Sequence, residues 1–62
     1  MKKFWVTVNS AKHPLPNPIY VAVYGDIQDA LAYAYDHMLP SFGTYDVIVC
    51  DKNMHEVYRK RW

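Results

Sequence analysis

Residues 4–9 set the terms for the rest of the chain. Phe4, Val6 and Val8 alternate with Trp5, Thr7 and Asn9, the period-two pattern of a strand with one apolar face. A polar loop follows, in which Pro14, Pro16 and Pro18 fix φ and remove backbone donors, so it is stiffer than its length implies. A second strand is predicted from Ile19 to Tyr24, with Ile19, Val21 and Val23 on one side and Tyr20, Ala22 and Tyr24 on the other. Gly25 ends it.

A helix pattern comes next. Asp26 is a good N-cap, and Asp29 adds a negative charge in the first turn, where the helix dipole favours it. Ile27, Ala30, Leu31, Ala34 and Met38 form the apolar stripe, with Tyr35 alongside, while Gln28, Asp29, Asp36 and His37 fall opposite. Pro40 stops the helix and residues 41–44 make a turn. Tyr45 to Cys50 reads as a third strand; Val47-Ile48-Val49-Cys50 is apolar on both faces, which argues for a central place in the sheet. After a turn at Asp51-Lys52-Asn53, a fourth, edge strand is predicted from Met54 to Arg59, with Arg59, Lys60 and Arg61 discouraging edge-to-edge pairing.

The expected fold is therefore α+β, a three- to four-stranded antiparallel-type sheet in the order β-β-α-β-β, with one helix packed on one face. A right-handed crossover through the helix places the third strand beside the first, giving the sheet order 2-1-3-4. The other face stays open, and Trp5, Tyr20 and Tyr24 are candidates for it.

Residues 1–62 make one small domain. At this length folding buries only roughly 60% of the unfolded surface, and a core rarely supplies more than about 3–5 kcal/mol. Most apolar side chains are committed to stability, and few remain to build a deep pocket. Cys50 is the single cysteine, which rules out an internal disulfide framework and fits a reducing compartment. The opening apolar run is too short for a signal peptide, and no stretch approaches the roughly 18 apolar residues of a membrane span. The chain is expected to be soluble and intracellular.

Catalytic signatures are missing. His13, His37 and His55 lie far apart, and Cys50 with His55 supplies two ligands where zinc wants three or four. Cys50 in an apolar run reads as an inert core thiol, and the two glycines, Gly25 and Gly43, make no phosphate loop. No catalysis, metal or cofactor is expected. The aromatic content is high, yet small sheets need large side chains for buried area. The cations sit at the termini rather than among the aromatics, which argues against direct nucleic-acid binding.

Net charge is +1, but no Lys or Arg falls between His13 and Asp51, where Asp26, Asp29, Asp36 and Asp46 sit. This bipolarity points to protein recognition. Arg59-Lys60-Arg61-Trp62 is the sharpest cluster: arginine and tryptophan are typical interface anchors. On an extended strand Arg59 and Arg61 face one side, Lys60 and Trp62 the other. Arg59, Lys60, Arg61, Trp62, Asp26, Asp29 and Asp36 are the candidate partner-binding residues.

Lys2-Lys3-Phe4-Trp5, then Thr7-Val8, Pro18-Ile19-Tyr20, Asp29-Ala30-Leu31 with Ala34, and Pro40 resemble in this order the gene-two protein family of short-tailed coliphages, small inhibitors of host RNA polymerase. The resemblance covers about positions 2 to 40. It implies a protein of the host bacterial cytoplasm that docks on the β′ jaw of RNA polymerase at the downstream-DNA channel. There it blocks promoter opening, partly by misplacing the N-terminal region of the primary sigma factor. Asp29 matches an acidic helix position of the family. Two arginines spaced by one residue in the family's third strand have no counterpart in Tyr45-Asp46-Val47-Ile48-Val49-Cys50, and Asn9 replaces an acidic residue. Arg59 and Arg61 repeat the spacing on a segment that does not align. The alternatives are an inhibitor or adaptor of another host protein, such as a defence component, or a nucleic-acid-binding accessory.

Overall fold

β1 (Lys3–Ser10) is paired along both edges, by β2 (Val21–Tyr24) on one side and β3 (Tyr45–Cys50) on the other. β4 (Glu56–Arg61) extends the sheet beyond β3, giving the order β2-β1-β3-β4 with every neighbouring pair antiparallel. This computed structural model describes residues 2–10, 19–39 and 44–61. The proline loop at 11–18, Pro40, the turn at 41–43 and Trp62 lie outside the described residues. Within them the α+β fold and the sheet order are those expected, and β3 is central as its two apolar faces require.

The register sorts the side chains. Phe4 pairs with Val23, Val6 with Val21 and Val49, and Val8 with Val47. All lie on the face covered by α1 (Ile27–Tyr33), which runs on into a π-helical turn at Ala34–Met38. Phe4, Val6, Val47 and Val49 meet Ala30 and Ala34 in a buried cluster, fully so except at Phe4. Two alanines at the contact let the helix lie close to the valine floor. Ile27, Leu31 and Met38 pack around them, so the predicted stripe is the buried one. Tyr35 departs from it and is exposed. The π-turn carries the Leu39 N–H to Ala34 O at 3.0 Å, and Leu39, which precedes a proline, leaves the helix in extended geometry.

Asp26 and Asp29 begin the helix reciprocally. The Asp29 N–H donates to Asp26 Oδ1 at 3.0 Å, and the Asp26 N–H donates to Asp29 Oδ2 at 2.9 Å, a capping box closed by two aspartates. Gly25 has φ of 137° and donates its N–H to Lys2 O at 2.9 Å. A side chain there would overlap the Asp29 carboxylate.

Two strand limits differ from expectation. β2 begins at Val21, and Ile19, expected beside Val21 and Val23, is 74% exposed. β4 runs from Glu56 to Arg61 rather than from Met54 to Arg59. Asp51 holds a longer turn: its Oδ1 accepts the N–H of Asn53 at 2.9 Å and of His55 at 3.0 Å. Met54, with φ of 67°, closes that turn outside the strand.

Candidate functional site

The face turned away from the helix carries Lys3, Trp5, Thr7 and Asn9 from β1, Ala22 and Tyr24 from β2, and Asp46, Ile48 and Cys50 from β3. Arg59 and Arg61 join it from β4, opposite Ile48 and Asp46. The expectation for Trp5 and Tyr24 therefore holds.

Its β3–β4 side is ionic. Asp46 is only 7% exposed, and its Oδ1 accepts from Arg61 Nε at 2.9 Å. Its Oδ2 lies 3.8 Å from Arg59 Nη1. Arg59 also donates from Nη2 to Glu56 Oε1 at 2.8 Å. The Arg61 hydrogen bond, aided by the charges of Arg61 and Arg59, holds the Asp46 carboxyl below its usual range against the opposing effect of burial. The Arg59 bond lowers Glu56 in the same way. Both guanidinium groups are raised further by these partners. The arginine side chains remain 51% and 67% exposed. One nearly buried carboxylate thus orients two exposed guanidinium groups, and the Asp46 bond uses one of the five donors of Arg61.

The β1–β2 side is aromatic. Lys3 Nζ lies 4.3 Å from the centroid of the Trp5 ring, a cation–π contact, and Tyr24 is exposed opposite Lys3. Between the two sides Thr7 and Cys50 are buried. Burial pushes the Cys50 thiol up, and the charges of Glu56 and Asp51 add to the effect, so the thiol is protonated at neutral pH and chemically quiet. Among the described residues, no group of three or more His, Cys, Asp and Glu is placed to hold a metal.

The structure divides the residues singled out in the sequence. Arg59 and Arg61 come together. Lys60, paired with Val47, turns to the helix side, where it shares a shallow cleft with Asp36, Leu31 and Tyr35. Asp26 and Asp29 are engaged in starting the helix, so the acidic helix side is not three free carboxylates. Trp62 lies outside the described residues. Asp46 and Glu56 were missed as site residues. The signal for Asp46 was a lone charge in the otherwise apolar run of β3, but its partners depend on a register that sequence spacing does not give.

The chain matches no family model and has no significant match among curated proteins or solved structures.

Proposed function

We propose that the chain is a non-catalytic phage-type inhibitor that binds host bacterial RNA polymerase at the β′ jaw and downstream-DNA channel and blocks promoter opening. The observation that carries this reading is the Arg59/Arg61 pair. Its Arg-x-Arg spacing, absent from β3, reappears on β4 directly beside β3 and on the helix-free face. Asp46 pre-orients both groups, which reduces the ordering cost of pairing with a partner's carboxylates.

The test is promoter opening by purified bacterial RNA polymerase at a strong promoter, with the chain added before DNA. The expected outcome is a loss of open complexes that follows the amount of polymerase bound. Undiminished opening under a large excess of the chain overturns the reading.

One observation favours an inhibitor or adaptor of another host protein. β3 has no arginine and carries one acidic residue, Asp46, whereas the third strand of the resembled family carries two arginines. Recovery of a different bacterial protein on the tagged chain, with no polymerase subunits, selects this second reading.

A further inference from the structure

The helix does not cover the whole of its own side of the sheet. Val57 and Tyr58 on β4 are exposed, and between the start of α1, the start of β1 and the β3–β4 turn there is an open cleft of about 730 Å³. Phe4, Ile27 and Val57 give it apolar walls, Lys2 and Lys52 stand on its rim, and Asp51, whose Oδ1 accepts from the N–H groups of Asn53 and His55, also lines it. Its volume falls within the roughly 300–1,000 Å³ of ligand-binding clefts. Lys3 also borders it, but its ammonium is held over Trp5 on the opposite face of the sheet. Neither Lys2 nor Lys52 forms an ion pair within 4.0 Å among the described residues.

We infer that this cleft docks an acidic peptide segment, one apolar side chain against Phe4, Ile27 and Val57 and flanking carboxylates against Lys2 and Lys52. One feature favours a peptide carboxylate over a phosphate. The nearby turn amides are already engaged: the N–H groups of Asn53 and His55 donate to Asp51 Oδ1, and that of Met54 to Asp51 O. No amide nest is left to cradle a phosphate there. An apolar wall beside two exposed ammonium groups instead matches a segment alternating carboxylates with a large apolar residue. This site lies on the opposite side of the sheet from Arg59 and Arg61, and it stands whichever protein those arginines engage.

The experiment is an NMR titration of the isotope-labelled chain with an acetylated and amidated peptide of sequence Asp-Phe-Asp-Leu-Glu at millimolar concentration. The expected result is saturable shifts at the amides of Lys2, Phe4, Ile27, Lys52 and Val57. The doubly substituted Lys2→Glu, Lys52→Glu chain should bind at least about tenfold more weakly, whereas Lys60→Ala should bind unchanged. Both substituted lysines are exposed, and an unchanged amide spectrum elsewhere verifies the fold. Shifts confined to the Arg59 and Arg61 strand face, no saturable shift, equal binding of a peptide with Lys in place of its acids, or tighter binding of ATP than of the acidic peptide would each overturn the assignment.

Discussion

Arg61 Nε donates to Asp46 Oδ1 at 2.9 Å, joining residues 15 apart in the chain that stand directly opposite in the β3–β4 ladder. The contact is a cross-strand charge pair of the kind that fixes register. It also has a proton linkage. Asp46, Asp51 and Glu56 are all lowered from ordinary values of 3.8, 3.8 and 4.5. Each binds its proton more weakly folded than unfolded, so its stabilising effect is complete above the ordinary value and is lost as pH falls through the lower folded value.

Stability should therefore stay level from neutral pH down to about pH 5 as far as these groups are concerned, and decline below about pH 4.5. Asp46→Asn should lower the urea midpoint at neutral pH, because two arginines lose their shared counter-charge, and should flatten the acid decline. Urea titrations at several pH values check this. An unaltered acid slope in the variant rules out the linkage.

Replacing Asp26 by Ala removes the N-cap acceptor of α1 and should destabilise the chain by about 1 kcal/mol. Gly25→Ala forces a methyl into a positive-φ position against the Asp29 carboxylate, and should destabilise by more than the about 0.4–1 kcal/mol that such a change gains at permissive sites. Chemical denaturation of both variants measures this, and the Asp26 change should also reduce helical circular dichroism if the cap nucleates the helix.

Val6 is fully buried between β2, β3 and the helix alanines. Val6→Ala should destabilise by about 2 kcal/mol. Against a total of about 3–5 kcal/mol for a core this small, the variant should show measurable unfolded population near body temperature. Thermal melting followed by circular dichroism reads the shift.

On the proposed reading, Arg59→Ala with Arg61→Ala should weaken polymerase capture at least about tenfold. Lys60→Ala, on the other face, should leave it unchanged. Both are measured by equilibrium binding to purified polymerase, with circular dichroism to check that β4 still pairs. Equal affinity of the double variant removes the arginines from the interface.

Cys50 should react with iodoacetamide far more slowly than a free thiol at neutral pH, since it is buried and its pKa is raised. Its rate should rise with mild denaturant, as mass spectrometry of the labelled chain would record. Rapid labelling under native conditions would mean that the helix-free face opens easily at Cys50.

The local elements were readable because their signals are short-range. The alternation of Phe4 to Asn9 needs only steric geometry to become a strand, and Asp26 needs only the amide three residues on to start a helix. Even the central place of β3 followed from its two apolar faces. The failures are of a different kind. Ile19 continues an alternating pattern yet stands outside the ladder, and Met54 reads as strand although Asp51 folds it into a turn. At Met54 local propensity met a hydrogen-bonding requirement fixed by Asp51.

The site divides along the same line. Amino-acid order alone determined which side chains alternate, where the helix starts, and that Arg59 and Arg61 share one face while Lys60 takes the other. Only the tertiary structure decided that Arg59 and Arg61 meet Asp46, that Lys60 sits with Asp36, and that Lys2 and Lys52 flank one cleft. Alternation is a property of consecutive bonds, whereas a cross-strand partner depends on register, and register is set by how the whole valine face packs beneath the helix.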